Sequence, residues 1–160
     1  MKLSECLEPR HIITDIEAGS GEEAIERMVT ALFPEGTAAG SGVGREAILE
    51  PLLSRERSQT TALGMGIACP HTRLAEFEGF FVSIGISRKG IPFDSPDGKP
   101  VHVILLLISS LSKPYLQLRA MRGLIQFLEK GANMELILGA DPELIWKALD
   151  DSGLEISDQV

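Results

Sequence analysis

Cysteine is nearly absent from this chain: Cys6 and Cys69 are the only two among 160 residues. Two thiols cannot build a disulfide framework, so stability must come from a packed core, and the expected setting is the reducing cytoplasm. Long apolar runs are missing too. The longest, Val103 to Ile108, is strand-sized and far short of a bilayer span, and the opening Met1-Lys2-Leu3-Ser4-Glu5 has no signal-peptide core. No membrane insertion is expected. Basic residues are outnumbered, 15 against 23 acidic ones, for a net charge of −8. That balance repels nucleic-acid phosphate, so nucleic acid is excluded as a partner, and solubility is a sufficient reason for the acidity.

Recognisable cofactor and metal signatures are equally scarce. The three histidines, His11, His71 and His102, have no metal-ligand spacing with one another or with the cysteines. There is no Gly-Lys-Ser/Thr phosphate loop and no Gly-x-Ser-x-Gly nucleophile turn. Gly40-Ser41-Gly42-Val43-Gly44 has the wrong glycine spacing for a dinucleotide turn and no strand leading into it. No cofactor and no metal are expected. His11 and His102 fall inside expected strands and read as structural; Cys69 reads as a buried strand thiol.

What is present is an ordinary globular composition, 44% apolar and 24% charged, enough for one domain over residues 1–160. Residues 10–16 suggest a short first strand. Ser20-Gly21-Glu22-Glu23 has capping-box spacing ahead of Ala24, Ile25, Met28, Val29 and Leu32 at helical period. Pro34, Gly36, Gly40 and Gly42 mark a loop. A second helix is expected from about Arg45 to Arg57, kinked or delayed by Pro51. Thr60 to Cys69 looks extended but broken by Gly64 and Gly66. Residues 80–87 alternate with a period of two, and Val101 to Ile108 reads as a strand buried on both faces, with a Ser95-Pro96-Asp97-Gly98 turn between them. The last third is helical, starting near Ser112 and Pro114, stopping at Gly131 and restarting at Asp141-Pro142. Strands interspersed with helices predict an α/β domain with a mixed, largely parallel sheet.

One segment carries candidate chemistry. His71 follows Pro70 at the end of a short apolar strand, so its ring is held at a strand end, where ligands bind in open α/β sheets. Arg73 follows two residues later, and the hydroxyls of Thr60 and Thr61 precede it. Gly64 and Gly66 would let backbone N–H groups approach an anion. Neutral imidazole is a nucleophile near neutral pH, and cations and hydroxyl donors stabilise a transferring phosphoryl group. Composition alone also accommodates a plainer reading, in which His71 caps a strand beside a solvated Arg73.

The order of residues favours the chemistry. Gly66-Ile67-Ala68-Cys69-Pro70-His71-Thr72-Arg73 resembles the phosphorylation-site signature of the fructose/mannitol-type enzyme IIA proteins of the phosphotransferase system, a family that includes the nitrogen-regulatory IIA proteins. Upstream, Arg55-Glu56 and Thr60-Thr61 resemble the family's Arg-Glu and Ser-Thr pairs. Downstream, residues 92–101 resemble its turn and following buried strand. The resemblance runs from Leu3 to about Leu149. It implies a five-stranded mixed sheet flanked by helices on both faces. It also implies a phosphotransferase component in which His71 accepts phosphate from a histidine-containing phosphocarrier protein of the HPr kind. Arg55 would orient the phosphoryl group, Thr61 would hydrogen-bond it, and Thr60 and Arg73 would complete the phosphate site. The output would be a regulated target protein or a separate IIB component; a binding module that has lost the chemistry is the alternative.

Two departures from the family pattern stand out. Met65 replaces the Asn of a Gly-Asn-Gly triplet, removing an amide donor. Tyr115, in Tyr115-Leu116-Gln117-Leu118, occupies the place of a second histidine that opens the later helix. A phenol donates a hydrogen bond but carries no charge at neutral pH, so the expectation is a site retuned toward holding phosphate or docking rather than rapid relay.

Overall fold

In the computed structural model, which describes residues 1–36, 42–139 and 141–157, the apolar run at 101–108 becomes the central strand of the sheet. Two single 3-10 turns, Leu3–Glu5 and Pro9–His11, precede β1 (Ile12–Ile13), α1 (Gly21–Leu32) and α2 (Arg45–Ser58). Then come β2 (Ala62–Gly64), β3 (Ile67–Ala68), β4 (His71–Leu74), β5 (Phe80–Ile91) and β6 (Val101–Ser110). Three helices close the order: α3 (Pro114–Glu129), α4 (Gly131–Gly139) and α5 (Pro142–Asp151).

The sheet order is β1-β5-β6-β3-β2, with β4 also pairing β6. β3 and β4 lie end to end along β6, with Ile67 opposite Val103 and His71 opposite Leu107. Six strands therefore occupy five positions, because Cys69-Pro70 separates β3 from β4 along β6. The sheet is mixed as expected. Its longest pairing, β5 with β6, and the short β2–β3 pairing are antiparallel, while β1 pairs β5 and β3 and β4 pair β6 in parallel.

Because successive strand residues face opposite sides, β6 feeds two cores. Val103, Leu105 and Leu107 pack with Leu116, Ala120 and Leu124 of α3 and with Ile137 and Ile145 beyond it. Ile104, Leu106 and Ile108 pack with Ile25 and Met28 of α1 and Ile48 and Leu52 of α2. Helices thus cover both faces, which is why β6 can be apolar throughout. Gly85 of β5 sits where α1 approaches closely: a β-carbon there would stand 2.6 Å from Met28 Sδ and from Ile16 Cδ1.

Local signals explain most boundaries. Ser20 caps α1 by accepting from the Glu23 N–H at 3.2 Å, but the Glu23 carboxylate reaches back to the Gly19 N–H rather than to the cap residue. Asp141 caps α5 by accepting from Leu144 N–H at 3.0 Å. α2 runs through Pro51; Ile48, Leu49, Leu52 and Leu53 are buried on either side of it and offset the missing backbone donor. His11 lies in the second 3-10 turn rather than in a strand. Its ring meets Phe81 edge-on at 4.7 Å, and burial lowers its pKa. His102 is in β6 as expected, its Nδ1 donating to Ser87 O at 2.8 Å. Gly40 and Ser41, from the glycine-rich stretch, lie outside the described residues. No helix among the described residues is long and apolar enough to cross a membrane.

Candidate functional site

The site grows from the break between β3 and β4. Cys69 N–H donates to Thr61 O, and Leu107 N–H donates to Pro70 O at 3.1 Å, so the chain is held on both sides of a residue that has no N–H of its own. His71 is the first residue of β4. Paired strand residues share a face, so His71 and Arg73, opposite Leu107 and Ser109, present their side chains on the α3 side of the sheet.

There they line a pocket of about 290 Å³ with Pro114, Tyr115 and Gln117 from the first turn of α3. His71 is half-buried, and Tyr115 is 44% exposed. His71 Nδ1 stands 2.8 Å from the carbonyl oxygen of Cys69. A carbonyl only accepts, so Nδ1 carries a proton, and in the neutral ring Nε2 keeps the free lone pair. Arg73 is exposed and forms no ion pair among the described residues, leaving its charge available beside the ring. Cys69 itself is chemically quiet: burial pushes its thiol pKa up to about 12.

The other expected site residues gather elsewhere. Arg55 is in the last turn of α2, in the opposite helix layer, and its Nη1 donates to Gln59 O at 2.7 Å. It does not line the pocket beside His71. Thr60 donates its hydroxyl to Glu56 Oε1 at 2.8 Å, and Thr61 donates both hydroxyl and N–H to Glu56 Oε2, at 2.5 and 2.9 Å. Each hydroxyl has one proton, and in this state both protons serve Glu56 rather than an incoming anion. Glu56 is therefore the organiser of the α2–β2 junction, a role announced only by its position four and five residues before two threonines.

Met65 also has a different setting from the one expected. Met65 and Gly66 form the two-residue connection between β2 and β3, at φ of 57° and 77°. Hairpin turns of this kind favour Asn-Gly because both central residues need positive φ. The Met65 N–H donates to Asp97 Oδ2 at 2.9 Å, so the donor that glycine-rich chain offers here already holds a carboxylate. Met65 is exposed and does not line the His71 pocket.

Residues 5–152 match the family model described as "Phosphoenolpyruvate-dependent sugar phosphotransferase system, EIIA 2". The chain belongs to this family. It is 31% identical over 143 residues to the PTS system fructose-specific EIIABC component of Bacillus subtilis, covering 89% of this chain but 22% of that protein. It thus spans about a fifth of that relative's length. A nitrogen regulatory protein of Bradyrhizobium diazoefficiens is 27% identical over 150 residues, covering 93% of this chain and 95% of that one. Among solved structures, nitrogen regulatory protein IIA-Ntr from Neisseria meningitidis superposes with a TM-score of 0.81 at 28% identity, covering 92% of this chain and 98% of that chain. Membership in the EIIA 2 family accounts for the mixed sheet with helices on both faces.

Proposed function

We propose that this chain is a phosphohistidine carrier in which His71 accepts a phosphoryl group on Nε2 from a histidine-containing phosphocarrier protein. The observation that carries this reading is the 2.8 Å contact of His71 Nδ1 with Cys69 O, which in the neutral ring makes Nε2 the nucleophile at a pocket that also holds a free arginine.

The chemistry balances on this side chain alone. The Nε2 lone pair forms the new N–P bond as the donor's N–P bond breaks, and the donor ring keeps the bonding pair. His71 retains its Nδ1 proton and gains positive charge, so its hydrogen bond to Cys69 O strengthens as the reaction proceeds. Bonds to charged groups contribute about 1.5–3 kcal/mol, against about 1 for neutral ones, so the gain falls on the transition state and product. Arg73 stabilises charge on the equatorial oxygens. Arg55 stays on Gln59 O in the opposite helix layer, and Glu56 holds Thr60 and Thr61, so this step draws on His71 and Arg73.

The output we favour is regulation of other proteins by the phosphorylation state of His71, in keeping with the likeness to nitrogen regulatory proteins. Relay to a IIB component is the second reading, supported by the 31% identity to a fructose-specific protein. Incubation with labelled phosphoenolpyruvate, the phosphocarrier and its kinase tests the chemistry common to both. Label that depends on His71 is expected. A folded wild-type chain that stays unlabelled would leave only the binding module.

A further inference from the structure

α3 brings Tyr115 to the pocket, yet its first turn has no local anchor. The N-cap residue is Lys113, whose side chain makes no capping hydrogen bond, whereas Ser20 and Asp141 cap α1 and α5. Leu116 is buried in the core and sets the depth of the helix, but apolar contact has little directionality and does not set register. Next to it stands Gln117, 4% exposed, while Tyr115 and Leu118 around it are 44% and 56% exposed. Apolar residues hold the rest of the buried stripe of α3: Leu116, Ala120, Gly123, Leu124, Phe127 and Leu128.

A buried amide is unfavourable unless it is hydrogen-bonded. Gln117 meets that condition across elements, its Nε2 donating to Thr72 O at 2.9 Å. Thr72 follows His71 directly in β4. The single polar side chain in the buried stripe of α3 is therefore tied to the residue beside the phosphate acceptor, and it also lines the same pocket.

We propose that Gln117 is a positioning residue for phosphoryl transfer: its bond to Thr72 O fixes the first turn of α3 against β4, so that Tyr115, Arg73 and the His71 ring hold a preset geometry before phosphate arrives. The proposal rests on the phosphocarrier reading of His71. It extends that reading by assigning the pocket's rigidity to one hydrogen bond. Placement errors near 1 Å slow oriented reactions by up to roughly 100-fold, which gives a single tether room to matter.

The test is Gln117→Met, which keeps length and volume, removes the donor and leaves an apolar side chain in an apolar stripe. The variant should stay folded with a modestly lower melting temperature, because the Thr72 carbonyl loses a donor while the thioether suits the apolar stripe. Hydrogen exchange at the backbone amides of residues 115–118 should speed up. Single-turnover labelling at saturating phosphocarrier should fall roughly 10-fold, with the carrier concentration at half-maximal rate unchanged. Wild-type labelling rates in a folded Gln117→Met chain would overturn the proposal while leaving the phosphocarrier reading intact. A wild-type chain that takes no label overturns the phosphocarrier reading and the catalytic half of the proposal with it. Exchange at the amides of 115–118 then decides the tether alone, and unchanged exchange overturns it.

Discussion

Thr61 grips Glu56 twice, through its N–H at 2.9 Å and its hydroxyl at 2.5 Å, both on the same carboxylate oxygen. Thr60 takes the other oxygen at 2.8 Å. The carboxylate thereby staples the last turn of α2, which carries Arg55, to the start of β2, which leads to His71.

Glu56→Ala removes both acceptor oxygens, and with them three hydrogen bonds, and leaves the buried Thr61 hydroxyl without this partner. Hydrogen bonds to a charged group contribute about 1.5–3 kcal/mol each when buried, but these are only partly shielded and share one side chain, so a net loss of about 2 kcal/mol is expected. Urea unfolding measures it. A variant as stable as the parent would mean that the staple contributes nothing.

Met65→Asn should stabilise the fold. Met65 sits at φ 57°, a left-handed conformation that Asn tolerates and an unbranched apolar side chain does not favour. The gain expected is about 1 kcal/mol, read as a higher melting temperature. Phosphoryl transfer should not change, because the turn lies away from the pocket. An acceleration without a stability gain would restore the amide at this position to the active site.

Asp97 links that turn to the pH dependence of folding. The Met65 N–H and then the Lys99 N–H hold its carboxyl below the ordinary aspartate range. A depressed folded-state pKa means that the unfolded chain binds the proton more readily, so this contribution is fully present at neutral pH. It is lost as pH falls through the ordinary aspartate range and on through the lower folded value. Asp97→Asn should therefore lower stability at pH 7 and close the gap with the parent in acid. Parallel stability profiles for the two proteins across that range would contradict the assignment.

Much of this was legible beforehand. Pro70-His71 after a short apolar stretch marked the strand end, and Val101 to Ile108 marked a strand buried on both faces. The antiparallel pairing of β5 with β6 was harder, since composition shows that a strand is buried without showing its direction; the turn at 95–98 was the available clue. α4 had no signal, because Gly131–Gly139 is apolar without a helical face and only Ile137 is fully buried. Around the site, residue types were readable and directions were not. Thr60, Thr61 and Arg73 all suit a phosphate, but the first two turn to Glu56. The Cys69 carbonyl that sets the His71 tautomer belongs to the backbone, where side-chain patterns give no guidance.

Tyr115 lines the His71 pocket at the start of α3, so its chemistry bears on transfer. Tyr115→His should speed phosphoryl exchange, because an imidazole shares a proton at neutral pH more readily than a phenol does. General acid–base assistance sets a ceiling of roughly 100-fold. Tyr115→Phe should change the rate only modestly. Single-turnover transfer from a phosphorylated carrier gives both numbers, and a folded Tyr115→His chain that is no faster would reduce Tyr115 to a packing residue.

The central claim is that the Cys69 carbonyl, by holding the proton on Nδ1, directs phosphate to Nε2 of His71. Phosphorus and nitrogen NMR of the labelled protein, kept alkaline to preserve the acid-labile bond, reads the linkage directly. The account predicts one phosphoryl group, bonded to Nε2 of His71 and absent from His71→Ala. A phosphoryl group on Nδ1, or label that survives in His71→Ala, would contradict it.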